Sequence, residues 1–197
     1  MLSLDARIAL APETTYRELV GRNAPATRWL VIARPALVLL VIAVMLPIMA
    51  LHMITAGLVL TFAAAWSVVL AIQIVMATAM IASAPARAVG FGRALDLWFA
   101  GHLPYNAWVV LMPITTSLAQ GHALDAIAVT FAGAVVWSAF ISSAFCRTVL
   151  GAPPAVARRR TAIHLIVMLA VALTLAVWAA GGVDAITSYI QRLPRQY

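Results

Sequence analysis

Few residues in this chain have side chains suited to chemistry. Its 197 residues hold four histidines, six acids and one cysteine. The densest polar grouping is WFAGHLPYNAWVVLMPI, Trp98 to Ile114, where His102, Tyr105 and Asn106 sit among apolar residues with Pro104 and Pro113. Each proline removes a backbone donor and clashes with the preceding turn, so a kink or break is expected. Backbone groups freed there cannot face lipid and must be satisfied inside the protein. His102, Tyr105 and Asn106 are positioned in sequence to do that, so the first expectation is that the polar residues serve the break and the break serves packing. The alternative is a ligand or ion site at a broken helix, with His102, Tyr105, Asn106 and Gln73 as its polar groups. Gln73, the amide deep in its own apolar run, is expected to bond a neighbouring helix.

The remaining candidates are weaker. The depths of His102 and His164 raise the question of a bis-imidazole haem, but better-centred pairs would be required, and no cofactor and no metal site is expected. His52 and His122 fall in short turns. There is no G-x-S-x-G, no H-E-x-x-H and no aspartate cluster suited to magnesium, so no catalytic residue is assigned and the chain is read as non-enzymatic. None of Asp5, Glu13, Glu18, Asp96, Asp125 and Asp184 is expected in the middle of an apolar run, which disfavours a proton relay. Cys146 is expected to be a small apolar filler.

The elements that must position these residues are apolar helices. Hydrophobic residues make up 64% of the chain and charged residues 10%, far below the roughly 25% of ordinary globular proteins. Mean hydropathy is +1.01. Five runs approach or exceed the roughly 20 residues that cross a bilayer: about 29–51, 56–82, 97–119, 124–145 and 162–180. The expected fold is an all-α polytopic bundle of five transmembrane helices over residues 29–180. An arm at 1–28 would carry a short helix, and a tail at 181–197 would lie at the membrane surface. In the arm, APETTYRELVGR is expected to be helical, with Thr14 or Thr15 as cap, Gly21 as stop, and Tyr16, Leu19 and Val20 on one apolar side. The first 28 residues lack the apolar heart of a cleavable signal. In the tail, Ile186, Tyr189, Ile190 and Leu193 form a stripe able to rest on lipid. The row Ala126, Thr130, Ala134, Ser138 and Ser142 would let another helix approach closely. Trp66, Trp108 and Trp137 are expected to be buried with partnered N–H groups.

All thirteen basic residues are arginine, and eleven of them lie in the N-terminal stretch through Arg34 or in the two loops between runs two and three and runs four and five. Arginines so placed orient a membrane protein, and they argue against nucleic acid despite a pI near 11.1. The N-terminus is therefore expected in the cytoplasm and the C-terminus outside. Arg87, Arg93, Arg147, Arg158, Arg159 and Arg160 are the candidates for holding anionic headgroups or a partner.

Three segments carry a family resemblance: RIALAPETTYRELV leading to IARPALVLLV, GFGRALDLWFAGHLPYNAWVVLMPI, and FISSAFCRTVLGAPPAVARRRTAIHLIVML. The pattern resembles the Yip-type (Ypt/Rab-interacting) membrane proteins and their bacterial relatives, in the Pro12 and Thr15-Tyr16 arm, the prolines at 104 and 113, and the Gly-Pro loop before a basic start to the last span. Where that family has an aromatic before the third-span proline, this chain has His102. The resemblance implies a non-enzymatic helical membrane protein acting through partners. The all-Arg, Ala-rich composition points to a bacterial source, hence an inner-membrane scaffold or accessory subunit that binds anionic lipid, a membrane-protein partner or a second copy. The alternative function is a small-molecule or lipid transporter component with its site at the Pro104 break. A reporter enzyme active only outside the cytoplasm is expected to be active when fused after Tyr197, and its activity there checks the orientation.

Overall fold

The computed structural model describes residues 3–22, 28–119 and 122–179 of the chain. The tail stripe from Ile186 to Leu193 lies outside the described residues. Those described form eight helices and no strand: α1 (Leu4–Leu10), α2 (Pro12–Gly21), α3 (Arg28–Leu51), α4 (Ala56–Ala82), α5 (Phe91–Ala100), α6 (Leu103–Leu118), α7 (Ala123–Thr148) and α8 (Pro154–Ala179). Among the described residues three segments are long and apolar enough to cross a membrane, namely Val31–Ile48 in α3, all of α4, and Asp125–Thr148 in α7. Helices suit such surroundings because every interior backbone group bonds within its own segment. Helices α3 and α4 pack as a hairpin, α7 packs on both α6 and α8, and α3 reaches across to α5 and α6.

The third apolar run is two helices rather than one. α5 ends at Ala100, and its capping residue Gly101 donates to the carbonyls of Leu97 and Trp98. His102 N–H donates to Phe99, and α6 starts when Asn106 N–H donates to His102. The break therefore lies just ahead of Pro104, which occupies the first turn of α6, where a missing N–H would be unpaired in any case. At Pro113 the helix runs on.

The arm forms part of the core instead of resting on the surface. α1 is an additional helix that apolar periodicity in so short a stretch does not announce, with Ser3 capping it by accepting from Ala6 N–H. α2 starts at Pro12 behind Ala11, so neither Thr14 nor Thr15 is the cap; Thr15 instead donates its hydroxyl to the Arg7 carbonyl at 3.0 Å, closing α1 onto α2. Tyr16 is fully buried and donates to the Leu97 carbonyl at 3.3 Å. Its ring meets Phe145 edge-on at 5.8 Å, and Leu19 and Val20 pack against the same core. Gly101 makes this approach possible, because a Cβ there would lie 2.7 Å from the Tyr16 hydroxyl and 3.0 Å from Ile141. Gly151, at φ +64°, plays a similar part in the loop before α8, where a Cβ would meet the Ala86 carbonyl at 2.6 Å.

Charge completes the attachment. Asp96, just ahead of the third apolar run, is 1% exposed, bonded to Arg34 at 3.2 Å and to Arg93 at 2.8 Å. Arg34 also pairs with Asp5 of α1. Burial raises the Asp5 carboxyl above the ordinary carboxylate range, against the pull of Arg34 and with help from the Asp96 charge. On the other side of the arm, Glu13 pairs with Arg147 of α7 and with Arg17, and Glu18 pairs with Arg7.

Two outcomes are expected. Gly101→Ala drives a methyl into the Tyr16 hydroxyl and should cost about 1–3 kcal/mol, read as a lower melting temperature in detergent and faster proteolysis of the arm. Asp96→Ala leaves the largely buried Arg93 guanidinium without an acidic partner and Arg34 with Asp5 alone, and should cost roughly 3–5 kcal/mol by the same thermal readout. An Asp96→Ala protein melting like the parent would show that the network contributes little.

Candidate functional site

The aromatic rings around the break form one continuous stack, with Trp98, near the end of α5, at its centre. It contacts Phe145 at 5.3 Å, His102 at 4.9 Å and His164 at 4.8 Å, all ring centroid distances. His102 and His164 meet nearly perpendicular at 5.6 Å. The His102 Nδ1–H donates to the Trp98 carbonyl at 2.8 Å, since a carbonyl can only accept. That carbonyl is one of those freed where α5 stops, so His102 serves the break as expected. The same bond leaves Nε2 as the acceptor nitrogen of a neutral His102 ring.

Beside this stack lies a cavity of about 300 Å³ between α4, α6, α7 and α8. Its polar groups are Gln73, His102, Tyr105, Ser138 and His164; the rest of its wall is apolar, including Phe131, Val135 and Met168. Three of the four residues expected at a ligand site thus share one cavity. The fourth, Asn106, lines a far smaller space of about 10 Å³ together with Arg34, Trp66, Gln73 and His102. Gln73 and His102 stand between the two. Sequence reading named His102 for the polar grouping at the break, singled out His164 by depth alone and did not place Ser138 in a site. The signal for Ser138 was its membership of the small-residue row on α7.

That row faces inward. Ala134 and Ser142 are buried, and Thr130 accepts from the Trp108 indole at 3.0 Å while donating to the Ala126 carbonyl. Trp108 therefore has the partner expected of it. Trp137 also has one, the Ala9 carbonyl at 2.8 Å, yet it is 47% exposed rather than buried. Trp66 is half-buried. His52 is exposed in the α3–α4 turn at φ +53°, and His122 is exposed ahead of α7. Cys146 is buried in the core. Among the described residues no group of three or more His, Cys, Asp or Glu side chains could hold a metal ion.

The six candidate arginines divide by what they touch. Arg93 is bound to Asp96 and Arg147 to Glu13, so both hold the structure together. Arg160 donates to the carbonyl and hydroxyl of Ser83, at 3.1 Å and 3.0 Å, tying the start of α8 to the α4–α5 loop. A backbone bond from Ala88 N–H to the Val149 carbonyl brings the same loop against the end of α7. Arg87 in that loop and Arg158 and Arg159 on α8 are exposed, and no acidic side chain pairs with them among the described residues.

Two features are thus available for binding: an apolar cavity edged by a few polar groups, and an uncompensated cationic rim. Comparison of the chain with models of protein families, with curated proteins and with solved structures finds no match to any of them.

Proposed function

We propose that this chain is a non-enzymatic, multi-pass protein of a bacterial inner membrane, of the Yip type, acting as a scaffold or accessory subunit at its arginine-bearing end. In this reading α3, α4 and α7 are three of five spans, the α5–α6 pair forms a bent fourth, and α8 supplies the fifth. The N-terminus is cytoplasmic and the C-terminus periplasmic. The observation that carries the reading is the cationic rim: Arg87, Arg158 and Arg159 are exposed without acidic partners, while Arg34, Arg93 and Arg147 are consumed by internal ion pairs. Guanidinium groups beside apolar helices match the geometry and sign of lipid phosphate. A membrane-protein partner with an acidic cytoplasmic face, or a second copy of the chain, would use the remaining surface of the same end.

A second reading, a transporter component with its site at the break before Pro104, draws on the cavity that adjoins His102 and Tyr105.

The test is lipid retention. Purified in mild detergent and examined by native mass spectrometry, the protein should carry phosphatidylglycerol in preference to phosphatidylcholine. Each arginine near a headgroup surface contributes about 1 kcal/mol, so replacing Arg87, Arg158 and Arg159 together by Gln should weaken that preference by roughly 100-fold. An unchanged preference in the triple variant, or no anionic lipid and no partner on the parent protein, refutes the proposal.

A further inference from the structure

The cavity contains polar groups that the fold leaves unused. Ser138 Oγ and His164 Nδ1 are both buried and without a hydrogen-bond partner, and both residues line the cavity. His164 as a whole is 3% exposed. A buried donor or acceptor without a partner costs about 1–3 kcal/mol, so two beside one cavity call for a compensating occupant. Bulk water is a poor one, because an ordered water needs two to four polar contacts and most of this wall is hydrocarbon.

The cavity also has a way in. Ile166 and Leu169 on its α8 side are 67% and 51% exposed, and Ala132 on its α7 side is exposed as well. The opening is thus lateral, onto the apolar flank of α7 and α8 rather than onto the charged end of the bundle. At 1.5 Å per residue Ser138 lies roughly 15 Å along α7 from Thr148, and His164 about 8 Å along α8 from Arg159. A molecule entering there arrives through hydrocarbon. Among the described residues no Asp, Glu or Arg lines the cavity, which disfavours an ionised ligand.

We propose that this cavity binds a neutral, bilayer-soluble amphiphile. Its oxygen head, a hydroxyl or a carbonyl, is held by the Ser138 hydroxyl and the His164 imidazole, and its chain or ring lies against Val135, Leu165, Met168 and Leu169. Ser138 can donate or accept, and a neutral imidazole at His164 has one donor and one acceptor nitrogen. The neighbouring Trp98 and His102 rings back His164, so the head group meets a positioned imidazole and not a mobile one. This site is independent of the arginine rim and stands or falls separately from it.

The experiment uses the full chain in nanodiscs and a twelve-carbon alcohol bearing a diazirine, with adducts mapped by mass spectrometry after illumination. Saturable adducts are expected on the segments 131–138 and 164–169. Ser138→Ala should raise the half-saturating concentration roughly 3- to 10-fold, the value of one hydrogen bond. Ala132→Trp, which fills the cavity from its exposed rim, should abolish the adducts, and neither variant should melt below the parent. Competition by decyl-benzoquinone or by dioctanoylglycerol identifies a carbonyl or a hydroxyl head as the preferred form. The proposal is overturned by equal labelling with the matching alkane diazirine, by adducts spread over the exposed faces of α3 and α4, by adducts that survive Ala132→Trp, or by failure of both competitors.

Discussion

A helix that stops within apolar surroundings must pair its last carbonyls without help from water. In this chain the demand falls at Gly101 and His102, where α5 gives way to α6. The Trp98 carbonyl takes both the Gly101 N–H and the His102 ring, and the Leu97 carbonyl takes the Tyr16 hydroxyl as well as Gly101 N–H. One turn of backbone is thereby bound to its own helix, to a histidine and to the N-terminal arm. Much of the molecule is organised around that turn. The arm docks because Tyr16 has a carbonyl to reach and a glycine to lie against. His102, at the break, meets His164 of α8, and both line the cavity.

The arm shows how apolar packing and charge divide the work. Ile8 and Tyr16 supply buried surface, while Asp5, Glu13, Arg34 and Arg147 set where the two short helices lie. Helices of this length have little stability of their own, so their order depends on the bundle they cover. In return they close the end of the bundle over Asp96, a carboxylate that two guanidinium groups keep compensated in a nearly inaccessible place. The arginines thus serve two ends. Some neutralise buried acid, and Arg87, Arg158 and Arg159, left over, are exposed without acidic partners among the described residues.

A good deal of this was legible in the residues themselves. Mean hydropathy and run length fixed the class, and α4 coincides with its apolar run at both ends. Prolines marked the region of the break but not its position, because proline is harmless in the first turn of a helix and the stop belongs to Gly101. The role of Tyr16 was half visible: its side of the helix could be read, but not that the side faced protein instead of lipid. Hydropathy treats those two surroundings alike, which is also why Trp137 was expected to be buried and is not. The partner of Asp96 could not be read, because sequence carries no sign of Arg34, sixty-two positions away.

By itself the sequence determined that the chain is all-helical and apolar, where its long helices run, and which arginines cluster between them. Those properties depend on local composition and on the length needed to cross hydrocarbon, and neither requires a neighbour. Only the tertiary structure decided which arginines are free, which histidines meet, and that Ser138 and His164 share a cavity. These are relations between residues on different helices, set by how breaks, glycines and small side chains let the helices approach, and no periodicity within one helix encodes them.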